Sequence, residues 1–260
     1  MKKQFKWRYT MVTLLTIALF LLVWYLCTDV WKVVSRMVLP SPVRVLSTFI
    51  NKFTNPNPDG ATMLQHLGAS LQVAMTGYVI GILVGVPLGI LMAWNKRADM
   101  FIRPLFDLIR PIPGIAWIPV MIVMFGIGLL SKAMVIFLSS FTAMVINSYS
   151  GIKQTKAVHL WVGQTFGATR LQQLFRIAIP SALPMILTGL RVALGNSWGA
   201  LVAAEMLASS RGLGFMIQQN RGIGRPDVII AGMIAVGIVG ALLTWILSLI
   251  ERAVLKGGRW

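Results

Sequence analysis

Few side chains in this 260-residue chain could do covalent chemistry, and none is spaced for it. Gly-x-x-x-x-Gly-Lys-Ser/Thr, whose backbone amides cradle nucleotide phosphates, occurs nowhere; nor does His-Glu-x-x-His or Gly-x-Ser-x-Gly. His66 and His159 fall in separate polar segments on opposite sides of apolar runs, so an interfacial place suits each better than a shared metal. One cysteine, Cys27, excludes an internal disulfide and a multi-cysteine metal site. What remains is charge in apolar surroundings. Glu205, Arg191 and Asn196 all lie within the apolar run at 181–207. A carboxylate there is costly unless paired or hydrated. Glu205 is therefore a candidate gate or pathway residue, with Arg211 and Asn196 as candidate partners. The equal alternative is a structural ion pair that ties the run to the segment after it. Arg191 either draws an anion into a cavity or snorkels its guanidinium to the membrane surface.

The elements that hold these residues are membrane helices. The chain is 57% apolar and 12% charged, too little charge for the surface of a soluble domain. Apolar runs at about 10–27, 67–94, 133–150, 181–207 and 227–250, with a proline-broken run between the second and third of these, predict an all-α polytopic protein with about six spans. The first run could be a signal peptide, but no small-x-small cleavage site follows it, so it is read as an uncleaved span. The net charge of +17 collects between the runs, the pattern of membrane topology rather than of a nucleic-acid face. With both termini cytoplasmic, fifteen Lys and Arg fall inside and eight outside.

Between these runs the sequence carries local signals. Ser41 and Pro42 cap and start an amphipathic helix over 41–53, expected on the outer membrane surface. Gly77, Gly81, Gly85 and Gly89 recur every fourth residue and form one stripe, suited to a mobile pore-side helix or to a static close contact. Pro104, Pro111, Pro113 and Pro119 break the third span, and the carbonyls so freed need protein or water partners, as beside a translocation path. Trp117 lies in that stretch and is a pore candidate. Residues 209–226 read as a polar, glycine-bearing outer segment. From 159 to 184 the chain is polar, basic and free of acids. Thr169 with Gln172 forms a capping box, Gly167 permits positive φ, and Pro180 suits the first turn of a new helix. The reading is a helix-turn-helix docking element, with an ordinary basic loop as the alternative.

The spacing of Gly167, Ile177, Ile179 and Pro180 resembles the EAA loop of ABC importer permeases. Trp161, Val162 and Gly163 stand where that family has Glu-Ala-Ala, which removes the specific salt bridge the Glu would offer. Arg110, Pro111, Pro113, Ala116, Trp117 and Pro119, followed by Phe125, Gly126 and Gly128, resemble the same region of nitrate, taurine and alkanesulfonate importers. So does the run from Ala203 through Glu205 to Gly212-Leu213-Gly214.

The resemblance implies a type I ABC importer permease fold, as a single transmembrane domain over 1–260 with its core at about 64–251 and a coupling loop at 152–180. It implies coupling through Gly163, Gln164, Thr165, Phe166, Gly167, Ala168, Thr169 and Arg170, anchored by Pro180. Pore or gate candidates are Glu205, Asn196, Arg191 and Trp117. The expected partners are two copies of an ABC ATPase subunit, a solute-binding protein and a second permease copy forming a homodimer. No cofactor is expected in this chain, since ATP would be bound by the partner ATPase. The expected setting is the bacterial cytoplasmic membrane. A small anion such as nitrate, taurine or a sulfonate is the expected cargo, with a lean to taurine and sulfonates. The competing class is an ATP-independent carrier or channel, which would need more ionisable residues along its path than this chain supplies. A membrane enzyme comes third, for want of a catalytic constellation.

Overall fold

A computed structural model describes the backbone of residues 2–35 and 37–257. Arg36 and Arg259, used in the charge comparison above, lie outside the described residues, as do the side chains of Lys2, Lys3, Lys6, Arg8 and Lys256. Among the described residues the regular structure is helical: α1 (Lys2–Tyr25), α2 (Pro42–Asn51), α3 (Met63–Trp94), α4 (Lys96–Ile109), α5 (Ile118–Phe125), α6 (Leu129–Lys153), α7 (Ala157–Thr165), α8 (Arg170–Gln173), α9 (Ile179–Ala208), α10 (Leu213–Ile223) and α11 (Pro226–Gly257). Five helical runs are long and apolar enough to cross a membrane. The helices 96–109 and 114–125 meet the same criteria only as a pair, bent by 83° at the break between them, so the count is five spans, or six with this broken pair taken as one. The proline-rich stretch therefore breaks as its composition predicts, with a short 3₁₀ turn at Gly114–Trp117 on the far side of the bend.

The core is α3, α6 and α9. The glycine stripe decides how closely the first two meet. A Cβ at Gly77 would run into Ala133 O, one at Gly81 into Ser140 Oγ, and one at Gly85 would lie 2.8 Å from Met144 Cβ. The stripe is thus the seam of a close contact inside the protomer, the static alternative, and it lies buried rather than along an open path. In lipid, where apolar surface gains nothing by leaving one hydrocarbon for another, such packing must come from close van der Waals fit. The same pairings show α3 and α6 running parallel. α9 runs the other way, since Gly151 meets Ala182 and Gly189 meets Asn147.

α1 stands apart. The most apolar window of that span has no residue buried. Its link to the rest is the Trp24 indole N–H donating to Pro40 O (3.1 Å). α2 forms as its sequence predicts: Ser41 Oγ accepts from Arg44 N–H, Pro42 opens the helix and Val45 is buried.

The segment 209–226 holds a helix, α10, which buries Leu213, Gly214, Met216 and Asn220. Pro180 falls in the first turn of α9, as its sequence predicts, yet α9 is not set apart from the hairpin: helical structure is continuous from Arg170 to Ala208, through a π turn at Leu174–Ala178. The widened turn lies just ahead of the proline, where a missing donor and a bulky ring would strain a regular α-helical ladder.

Candidate functional site

At one end of the bundle α7, the turn 166–169 and α8 form a helical hairpin. Gly167 adopts φ +76°, so the chain reverses at a conformation other residues adopt with strain. Gly167 N–H donates to Gln164 O and Ala168 N–H to Gly163 O, each 2.9 Å, which closes α7. The capping box opens α8: Gln172 N–H donates to Thr169 Oγ1 (3.3 Å) and Thr169 N–H to Gln172 Oε1 (2.9 Å). Gln173, buried, donates from its amide to Ala168 O (2.9 Å) and stitches the two arms together. Gly163 is buried against Ile177. Gln164, Thr165, Phe166, Thr169 and Arg170 are exposed, Ala168 and Pro180 partly so.

The sequence did not announce one property of this hairpin. Its outward face is apolar: Trp161, Phe166, Leu171 and Phe175 are all exposed, Phe166 to 86%. Mostly small and polar residues separate them, four or five positions apart, which hides the patch in the linear order. Folding into a hairpin gathers them, and an apolar patch of that kind marks an interaction surface.

At the opposite end of α9, Glu205 is 1% exposed. Its partners are neither Arg211 nor Asn196. Ser70 Oγ, on α3, donates to the carboxylate (2.8 and 2.9 Å to its two oxygens), and Gly214 N–H donates to Oε2 (2.9 Å). Ser70 Oγ in turn accepts from Leu213 N–H (2.8 Å), and His66 Nδ1 accepts from Gly212 N–H (3.1 Å). Gly212 takes φ +137°, and a Cβ there would run into the Glu205 carboxyl. A Cβ at Gly214 would run into Val202 O. The Gly-Leu-Gly run thus lets backbone close over the carboxylate.

His66 is wholly buried in α3, and His159 is exposed on α7, so both lie on helices. Accepting at Nδ1 leaves the His66 ring proton on Nε2, which lies 3.5 Å from Asp59 Oδ1. Asp59 also accepts from Lys52 Nζ and from Asn220 Nδ2 (2.9 Å). Burial alone would raise the Asp59 carboxyl, but His66 and Lys52 outweigh it and hold it below the usual carboxylate range. Ser70 and Asn220 carried no sequence signal, because their partners Glu205 and Asp59 are distant along the chain, and Lys52 and Asp59 meet only through the fold of the loop between α2 and α3. Among the described residues no group of three or more His, Cys, Asp or Glu is placed to hold a metal ion.

The remaining candidates separate. Arg191 pairs with Glu251 of α11, so its charge is matched within the protomer. Trp117 packs beside Ile118, Met121 and Val135. Asn196 faces a groove of about 470 Å³ between the broken span, α6 and α9, which it shares with Arg110, Ser139 and Thr142. Gly195 and Gly199 form its α9 wall, with no atom within 4 Å of a Cβ built on either.

Residues 85–257 match the family model described as binding-protein-dependent transport system inner membrane component. The taurine transport system permease protein TauC of Escherichia coli (strain K12) is 37% identical, covering 96% of this chain and 92% of that protein. The putative aliphatic sulfonates transport permease protein SsuC of Bacillus subtilis (strain 168) is 32% identical over 98% of this chain and 89% of its own. The nitrate import permease protein NrtB of Synechocystis sp. (strain ATCC 27184 / PCC 6803 / Kazusa) is 34% identical over 92% and 86%. In fold, the chain is similar to a chain of the MetNI methionine ABC transporter in an inward-facing conformation, with a TM-score of 0.65 at 19% identity, covering 74% of this chain and 95% of that one.

Proposed function

The chain belongs to the family of binding-protein-dependent transport system inner membrane components, and from that premise we propose that it is the translocating subunit of an ATP-driven importer for a small sulfonate such as taurine. The cargo assignment rests on the sulfonate and taurine relatives, with nitrate as the neighbouring choice. The hairpin faces the cytoplasm and seats in a partner ATPase. A solute-binding protein delivers cargo at the Glu205 end, and a second permease copy completes the path. Both termini are cytoplasmic.

The observation that carries this reading is the unbroken helical run Arg170–Ala208. Its first turn belongs to the hairpin and its middle forms the glycine wall of the groove. At 1.5 Å per residue the run is roughly 58 Å long. A push on the hairpin as two ATPases close on ATP therefore moves the groove wall directly, and hydrolysis lets it return. The exposed Trp161, Phe166, Leu171 and Phe175 supply the contact, and the acid-free, basic surround sets its polarity. Alternating access follows if the groove opens to one side in each state.

Purification of the tagged chain from native membranes in mild detergent tests this reading. Recovery of a P-loop ATPase and a solute-binding protein, with ATP hydrolysis, is the expected result. A stable chain without an ATPase would favour an ATP-independent carrier or channel.

A further inference from the structure

The groove beside α9 holds one ionisable side chain, Arg110, and no carboxylate lines it. Ser139 and Thr142 spend their hydroxyl protons on Val135 O (2.9 Å) and Leu138 O (3.0 Å). Arg110 and Asn196 make no side-chain hydrogen bond or ion pair with any described residue. By contrast, Arg103 of the same segment is matched by Asp99, and Arg191 deep in α9 by Glu251. Asp107, one turn before Arg110, borders the adjoining cleft with Arg103 and Tyr149. Arg110 closes α4 at the 83° bend, so its guanidinium stands unmatched at the mouth of the groove, a place where a charge is met from outside the chain.

The wall opposite is shaped for a guest. Gly195 and Gly199 leave open space, whereas a Cβ at Gly114 would run into Ser139 Oγ. The broken span is thus seated tightly on α6, four residues after Arg110, while the α9 side stays clear.

We infer that Arg110 and Asn196 form a transit site for an oxyanion, in which the guanidinium meets a sulfonate-type head group and the glycine wall leaves room for its organic tail. This rests on the reading of the groove as the path. The planar fork of Arg110 offers two parallel N–H donors to two oxygens of one head group, and the Asn196 amide adds a third. A single charge holds an anion without trapping it, as a site on a path must.

The test uses the purified permease–ATPase complex in lipid nanodiscs. Binding of ethanesulfonate and of its neutral isostere ethyl methyl sulfone is followed by saturation-transfer NMR. Ethanesulfonate is expected to bind the wild type and the sulfone not. Arg110→Gln should lower the ethanesulfonate signal about tenfold, and Arg110→Lys, which keeps the charge but loses the fork, should fall between Gln and the wild type. Gly199→Leu should lower it while leaving the melting temperature unchanged. Undiminished ethanesulfonate binding in Arg110→Gln, or equal binding of the sulfone, overturns the site. In sealed proteoliposomes with the solute-binding protein added, taurine uptake should fall about tenfold in Arg110→Gln while stimulated ATP hydrolysis stays within about twofold. Loss of uptake and hydrolysis together would make Arg110 a structural residue and also overturn the proposal. Arg110-dependent ethanesulfonate binding in a wild type that imports no taurine would leave the site standing and sink the cargo assignment instead.

Discussion

Glu205 is held by hydrogen bonds and not by the ion pair its neighbours in sequence suggested. Its carboxylate fastens α3, α9 and α10 through Ser70 and Gly214. Glu205→Ala would leave the Ser70 hydroxyl short of an acceptor and the Gly214 N–H unpaired in a buried place. The expected cost is about 1–3 kcal/mol, read as a lower melting temperature in detergent. Asp59 adds a pH dependence. Its folded-state value lies below the 3.8 of a free aspartate, so its contribution is present above that unfolded value and is lost as pH falls through the folded one. The gap in melting temperature between wild type and Asp59→Asn should therefore be widest near neutral pH and narrow progressively once the pH falls below about 4. Gly167 tests the hairpin. A Cβ there meets open space, but φ +76° costs a β-branched residue about 1–2 kcal/mol, which is met by reshaping the turn. Gly167→Val should insert and fold normally yet lose ATP-driven uptake, as measured in membrane vesicles; normal uptake would remove the hairpin from the coupling path.

At the scale of elements, the contrast between two sets of glycines is the sharper test. Gly81 is pressed against Ser140 across the α3–α6 seam, whereas Gly199 faces open space on α9. Gly81→Ala should force the helices apart and destabilise the protein by about 1–3 kcal/mol. Gly199→Ala should leave stability equal or slightly higher, since alanine is the better helix former by about 1 kcal/mol. Thermal melts of the two variants side by side decide it, and equal losses would contradict the seam. Helix existence was legible throughout, because lipid demands long apolar runs and the runs are there. Helix continuity was not: Pro180 reads as a break, and only the π turn ahead of it lets the helix pass from hairpin to groove.

The whole molecule divides into a packed bundle and a loosely attached first span. α1 reaches the rest through Trp24 and its neighbours on α2, and the most apolar window of its span is wholly unburied within the protomer. Deletion of residues 1–38 should leave the bundle from α3 to α11 inserted and resistant to protease. Its collapse on deletion would show that α1 carries packing the protomer does not reveal.

Composition, apolar run length, the capping box and the order of prolines and glycines were enough to establish a six-span helical membrane protein, its hairpin and its broken span. These are local properties: whether a run crosses a membrane, or a turn closes, depends on neighbours within a few residues. The tertiary structure alone decided which face each polar residue met. Arg191 found Glu251, sixty residues on; Glu205 found Ser70, 135 residues back. Arg110 found no partner among the described residues and was left facing a groove. No spacing rule foresees such pairings, because three-dimensional packing of helices, not distance along the chain, determines which side chains come within hydrogen-bonding reach.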